Sequence, residues 1–357
     1  MTTLPLIDQD RLEAFLGQIA ADCGAAVSVA LVSVGDRLGL YRAMGDSLPV
    51  TAPELAGRTG TQERYIREWL NNQAAGGYVT YDPAADTYTL PPEHAYVLAD
   101  ETSPLAKAGM FLAAAAAVEV RDKVADRFRS GGGLGWHEHH DDMFHGTERA
   151  FGSSYRMSLV AEWLPALDGV VEKLEAGALV ADVGCGHGAS AILMAQAFPA
   201  SRFVGFDYHA ESIAIARERA REAGVEDRVR FEVAAADGYP ADGYDLIAFF
   251  DSLHDLGDPL GAGMHARSAL AEDGTCMVVE PAAGDRIEDN LNPVGRFYYG
   301  VSTLVCTPGS LSQPGAAGLG TQAGWPTLRD VLVAGGFTAV RRAAENPFNF
   351  VIEAKKG

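Results

Sequence analysis

Two hydrophobic periods divide this chain. Up to about residue 130 the apolar positions recur at helical spacing, and from Leu179 onward they gather into short runs of strand length. In the first part, residues 12–32 carry a helical pattern that continues towards Tyr41. Thr51, Pro53 and Glu54 form a capping-box signature for a short helix that ends at Gly60. Thr61 is placed to cap the next helix, through Tyr65, Ile66, Trp69 and Leu70, which Gly76 and Gly77 stop. Residues 78–81 and 87–90 alternate as two strands around a turn at 82–86. Three helices followed by a two-stranded wing predict a winged helix over residues 1–100. Residues 101–170 read as a helical linker, broken by the glycines at 131–133 and including a helix over 155–167.

In the second part, residues 179–183, 202–206, 229–233, 246–250 and 276–279 are buried-strand runs separated by helical stretches. That alternation predicts a doubly wound parallel sheet, with its ligand crevice at the carboxyl ends of the strands. Residues 336–342 and 349–354 add an antiparallel hairpin at the end. The predicted fold class is α/β, a Rossmann-like seven-stranded sheet with a terminal hairpin, preceded by a mainly helical winged-helix domain.

Charge and composition narrow the function classes. The chain has 28 Lys plus Arg against 48 Asp plus Glu, a formal charge of −20, and residues 1–100 hold 13 acids against 6 arginines. Such a surface is a poor partner for phosphates, so a DNA-binding regulator is the disfavoured reading of the winged helix. Four cysteines without paired spacing predict free thiols in a reducing cytoplasm. The start of the chain lacks a signal-peptide pattern, and the longest uncharged apolar run, residues 109–118, falls short of a span of about 20 residues, so no membrane partner is expected.

The chemistry centres on Asp182-Val-Gly184-Cys185-Gly186-His187-Gly188, which follows a strand and opens a helix. Its glycines permit tight turning and close approach of backbone N–H groups to a ligand. The spacing matches neither a phosphate loop nor the nicotinamide-dinucleotide fingerprint. An acid before the loop suits a cationic ligand instead. Asp207 at the second strand end is placed to accept ribose hydroxyls, and Asp237 after the third to accept from an adenine amino group.

On these residues, with Ala236, Gly238 and the terminal hairpin, the chain resembles class I S-adenosylmethionine-dependent methyltransferases. The winged helix makes the layout similar to plant-type small-molecule O-methyltransferases and to related actinobacterial enzymes. The resemblance implies S-adenosylmethionine as cofactor, a small-molecule methyl acceptor, and a homodimer in which the winged helix helps close the substrate pocket. It implies a methyltransferase domain over residues 171–357, with a lid insertion at 282–326. It puts Asp182 and Gly184–Gly188 at the methionine side, Asp207 at the ribose, and Asp237 with Gly238 at the adenine. Cys185, Tyr208, Ala236 and Asp251 complete the expected cofactor wall, and Tyr155 is expected to reach the methionine carboxylate.

Leu253-His254-Asp255 matches the segment that carries the general base in the plant-type enzymes. An imidazole with an ordinary pKa near neutrality suits that role. Glu280 stands where those enzymes have a flanking acid, either to orient the imidazole or touch the substrate, or as a structural residue. Gly324-Trp325-Pro326-Thr327 departs from their second acidic flanker. N-, S- or C-methylation by alignment alone is the alternative chemistry. His139 and His140, within a cluster running from His137 to His145, are read as pocket lining. No metal is expected there, because the spacing matches no zinc pattern. Asn292, Arg296, Phe297 and Tyr299 in the insertion are expected to contact the acceptor.

Overall fold

A computed structural model describes residues 7–357, so the part of the leader reading that concerns residues 1–6 lies outside the described residues. The chain divides into two compact units after Ala115. Residues 116–170, expected as linker, therefore belong to the unit that carries the large sheet.

The first unit opens with a helix of 29 residues, Gln9–Arg37, capped by the Asp8 carboxylate. Its last turns dock on the helix Glu63–Ala75. Gly35 lies flat against Trp69, where a Cβ would meet the indole at 2.5 Å, and Trp69 Nε1 donates to the Leu31 carbonyl at 2.9 Å. The predicted capping box is formed: Thr51 accepts from the Glu54 amide, and the Glu54 carboxylate accepts from the Thr51 amide. Thr61 does not cap the following helix. Its hydroxyl bonds Thr59 instead, and Gln62 holds the cap position. The wing is β1 (Thr80–Asp82) paired antiparallel with β2 (Thr87–Thr89), shorter than the sequence pattern suggested. Arg67 pairs with Glu63 at 2.8 Å and Arg64 with Glu68, so carboxylates of the same helix occupy both arginines of the would-be recognition helix.

The first helix departs from the sequence expectation in one respect. It is long and apolar enough to cross a membrane, and little of it is buried. Leu12, Phe15, Leu16 and Ile19 are all exposed. At i, i+3, i+4 and i+7 they form one stripe.

The second unit is built on a seven-stranded sheet of β3 (Leu179–Val183), β4 (Arg202–Asp207), β5 (Val229–Val233), β6 (Tyr244–Phe250), β7 (Leu270–Pro281), β8 (Ala339–Glu345) and β9 (Asn349–Lys355). The strand order is β5-β4-β3-β6-β7-β9-β8. The first five are parallel, and β9 pairs antiparallel with both β7 and β8. Continuous apolar runs such as Leu246 to Phe250 are buried because helices cover both faces, which gives the sheet two cores. The order reverses between β3 and β6, so the crevice opens beyond the carboxyl ends of those two strands.

The helix leading into the sheet differs from expectation. It runs Asp141–Ser158, much earlier than the predicted start, and a π-helical turn, Leu159–Trp163, replaces its expected second half. His140 makes the early start possible, because its Nδ1 accepts from the Asp142 amide at 3.1 Å and caps the helix. All four cysteines are free, and three of them are buried.

Candidate active site

A cavity of about 550 Å³ lies at the switch point of the sheet. Its floor is the glycine loop after β3. Gly184, Gly186 and Gly188 all have positive φ, at 76°, 51° and 80°. At Gly184 a side chain would also collide with Ser252, whose Cβ would lie 2.7 Å away. The loop is tied to β4, because the Gly184 and Cys185 amides donate to the Phe206 carbonyl at 2.8 and 3.0 Å. Gly184, Cys185, Gly186 and His187 line the cavity.

Asp207 ends β4 on the same wall. Its two oxygens accept from the Gly186 and His209 amides at 3.0 and 2.9 Å. A carboxylate has about four acceptor positions, so two remain for a ligand. Burial raises its pKa, while the two backbone donors pull the other way. Tyr208, Ala236 and Asp237 extend this wall. Gly188 and Gly238 each directly follow a lining residue in the chain, but neither lines the cavity.

Asp182 sits inside the protein, not on the cavity wall. It is almost fully buried, accepts from the Ser190 hydroxyl through Oδ2, and leaves Oδ1 without a partner. Burial pushes its pKa up to about 7. An orphaned carboxylate oxygen beneath a glycine cradle, with acids along one wall, fits a nucleoside bearing a cationic amino-acid tail.

The cavity is also rich in aromatic rings. Trp136, Phe144, Phe151, Tyr155 and Phe250 line it. Phe144, Glu148, Phe151 and Tyr155 present one face of the helix Asp141–Ser158, a face that the sequence reading missed by starting the helix too late. The spacing i, i+4, i+7, i+11 carried the signal. Tyr155 does not point its hydroxyl into open space. It donates to Asp251 Oδ2 at 3.1 Å, while Asp251 Oδ1 accepts from Asn349 Nδ2 at 2.8 Å. Burial, reinforced by the Glu280 charge, pushes Asp251 up to about 8. Asp251 also holds a left-handed backbone, with φ 49°, a strain of the kind found at functional sites.

His254 and Glu280 are brought together. His254 Nδ1 bonds Glu280 Oε2, and the His254 amide donates to Glu280 Oε1 at 3.2 Å. His254 Nε2 is 3.3 Å from Asp255 Oδ1. Burial works against the imidazolium, but the Glu280 and Asp255 carboxylates outweigh it and raise the His254 pKa well above its ordinary value. His254 is buried behind the cavity lining, whereas Asp255 and Leu256 form part of that lining.

The residues expected to hold the acceptor are dispersed. His139 is buried with neither ring nitrogen hydrogen-bonded, and burial pushes it down to about 4. His140 is the helix cap already described. Asn292 caps the helix Pro293–Val301, its Oδ1 accepting from the Gly295 amide at 2.9 Å. Arg296 and Tyr299 are exposed, and Phe297 is half-buried. None of the six lines the cavity. The insertion reaches it further along, through Val305, Gly309 and residues 313–315. Gln313 fixes that stretch by donating to the Asp255 carbonyl at 2.8 Å and accepting from the Gly257 amide at 3.1 Å.

The family profile of a Rv2258c-like winged HTH domain matches residues 25–100, and that of a methyltransferase domain matches residues 174–310. The chain pairs a winged helix with a methyltransferase domain. A curated relative, 27-O-demethylrifamycin SV methyltransferase of Amycolatopsis mediterranei (strain S699), is 31% identical over 139 residues, which are 37% of this chain. The match spans about half, 51%, of that enzyme's length. Among solved structures, the mitomycin 7-O-methyltransferase MmcR superposes with a TM-score of 0.69 at 20% identity, covering 98% of this chain and 100% of that one. Human N-acetylserotonin methyltransferase, solved with S-adenosylmethionine, gives 0.67 at 17% identity and covers 100% of both chains. The O-methyltransferase NcsB1 from neocarzinostatin biosynthesis, solved with S-adenosylmethionine and 2-hydroxy-5-methyl naphthoic acid, gives 0.60 at 16% identity, covering 92% and 95%. The glycine loop and Asp207 thus lie within the methyltransferase domain, and the aromatic helix 141–158 precedes it.

Proposed function

We propose that this protein transfers a methyl group from S-adenosylmethionine to a hydroxyl of a small, largely aromatic organic molecule. The observation that carries the reading is one cavity lined both by the glycine loop with Asp207 and by a row of aromatic rings. A volume of about 550 Å³ sits inside the usual range for small-molecule sites, roughly 300–1,000 Å³. Relatives named for rifamycin, mitomycin and naphthoic-acid chemistry support an aromatic or polycyclic acceptor.

The sulfonium donor supplies an activated methyl group with a good leaving group, so the residues need only bind, align and take a proton. Asp207 holds the ribose, Asp237 the adenine edge, and the glycine loop the amino-acid end. Trp136, Phe144 and Phe151 clamp the acceptor ring and exclude water. Glu280 holds Nδ1–H of His254, which leaves Nε2 as the atom that takes the acceptor's proton. One observation favours the alternative in which alignment alone suffices: His254 lies behind the cavity lining. A DNA-binding role is disfavoured because Arg64 and Arg67 are already paired with Glu68 and Glu63.

The test is a product-mass screen with isotopically labelled methyl donor against phenols, carboxylates, thiols and amines. A labelled methyl ether from a phenol is the expected product. Transfer to amines or thiols alone would replace the O-methyl reading.

The working state is a homodimer, held in part by the exposed stripe of the first helix. A membrane is the poorer occupant of that stripe. The last turns of the helix are engaged with Trp69 and Asn72, and the part free of that core contains Asp10, Arg11, Glu13 and Asp22. Replacing Phe15 and Ile19 together by aspartate is expected to convert a dimer to a monomer in sedimentation velocity, with the melting profile of the monomer retained. Flotation of the parent protein with vesicles, and none with the variant, would instead favour the membrane. A soluble dimer with free thiols is consistent with a cytoplasmic enzyme.

A further inference from the structure

The helix Asp141–Ser158 and the glycine loop meet at a side-chain cluster to which the methyl-transfer reading assigns no role. His145 and Glu148 stand one turn apart on the helix, and His187 comes from the loop between Gly186 and Gly188. Residues at i and i+3 share a helix face, so both side chains address the loop together. One donor atom from each of the three lies within 4.8 Å of the others. His187 Nδ1 is 2.9 Å from Glu148 Oε2, and the His145 and His187 rings are 5.4 Å apart, centroid to centroid. The other carboxylate oxygen, Glu148 Oε1, pairs with Arg219.

We propose that His145, Glu148 and His187 form a binding site for a divalent transition-metal ion. Two imidazoles and one carboxylate are the donor set that zinc, cobalt and ferrous iron accept, whereas magnesium and calcium prefer oxygen donors alone. With bonds of about 2.0–2.2 Å, donors around one ion lie roughly 3–3.5 Å apart. The 2.9 Å pair needs to open only slightly to reach that spacing, and the third donor, His145, is an exposed side chain able to swing in. The ion would take the place of the proton shared by His187 Nδ1 and Glu148 Oε2, with the imidazole proton moving to Nε2. Arg219 then acts as the outer partner that orients the ligating carboxylate, an arrangement that commonly supports metal sites.

The position gives the site a consequence. Glu148 and His187 both line the large cavity, and three protein ligands leave coordination positions open towards it. A bound ion would staple the aromatic wall to the glycine floor at its edge. The inference does not depend on which acceptor is methylated.

Cobalt(II) is the probe, added to chelator-treated full-length protein and followed by calorimetry and visible absorption. One equivalent is expected to bind, with an unchanged isotherm in excess magnesium. His145→Ala, which removes an exposed side chain and spares the fold, and His187→Ala are each expected to weaken binding about tenfold or more. Saturation with cobalt should also raise the melting temperature of the parent but not of the variants. Absence of binding at millimolar cobalt would overturn the proposal. So would an unchanged isotherm in both variants. A thiolate-to-cobalt charge-transfer band would overturn it too, because none of the three proposed ligands is a thiol, whereas the second group of possible ligands, His254, Asp255 and Cys306, includes one.

Discussion

Asp207→Ala is expected to weaken S-adenosylmethionine binding by two orders of magnitude or more. Each hydrogen bond to a charged acceptor contributes about 1.5–3 kcal/mol, and the carboxylate has two positions left for the two ribose hydroxyls. The same substitution removes the acceptor for the Gly186 and His209 amides. That part costs about 1 kcal/mol per bond and would appear as a melting temperature lower by several degrees. Calorimetry and thermal melts separate the two effects. Asp207→Asn keeps an acceptor for one backbone amide, so it should restore most of the melting temperature while still binding weakly. An Asp207→Ala protein that binds the cofactor within about threefold of the parent would remove the ribose assignment, since losing even one such bond costs more.

His254→Ala is expected to lower kcat by about 10²–10⁴-fold if the imidazole is the base. The pH dependence gives a sharper test. Because the folded pKa of His254 is raised, the proton-accepting form grows only as pH climbs, and the acid limb of kcat lies above the position set by an ordinary imidazole. Glu280→Gln removes the carboxylate that does most to raise it and leaves Asp255 as the remaining carboxylate opposing burial. The limb should therefore move to lower pH even as the oriented hydrogen bond weakens. Stability follows the same sign. The pair contributes fully below the unfolded histidine value of about 6.5, and the contribution is lost as pH rises through the folded value. The parent should thus lose melting temperature on the alkaline side more steeply than Glu280→Gln. If His254→Ala keeps its kcat, the acceptor needs no base, and alignment alone performs the transfer.

The sheet and the glycine loop were legible for a common physical reason. Strands buried on both faces must be short continuous apolar runs, and a turn with positive φ at three positions must be glycine, so both leave local marks. The acids at successive strand ends are equally local. What did not show was either masked or distant. The aromatic helix hid behind the polar stretch 137–142 and the small residues Gly146, Gly152, Ser153 and Ser154, which dilute its apolar stripe. The acceptor residues chosen from the insertion do not line the cavity, because the helix Pro293–Val301 carries Arg296 and Tyr299 on an exposed face and uses Asn292 as its cap. The first helix is apolar on nearly every side, so its pattern does not say which face the core takes. Contacts such as Tyr155 with Asp251, 96 positions apart, have no local signature at all.

The bond from Asn349 to Asp251 has a consequence for protein engineering. Asn349 is the first residue of β9, in the hairpin that closes the sheet, yet its amide fixes a carboxylate on the far side of β7 that in turn holds the Tyr155 ring. A chimera that grafts the hairpin of another enzyme onto this sheet would keep every backbone ladder and still lose that tether. A crossover placed before β8 therefore replaces Asn349, and any foreign hairpin should carry an asparagine opposite Pro281, where Asn349 sits in the β7–β9 register.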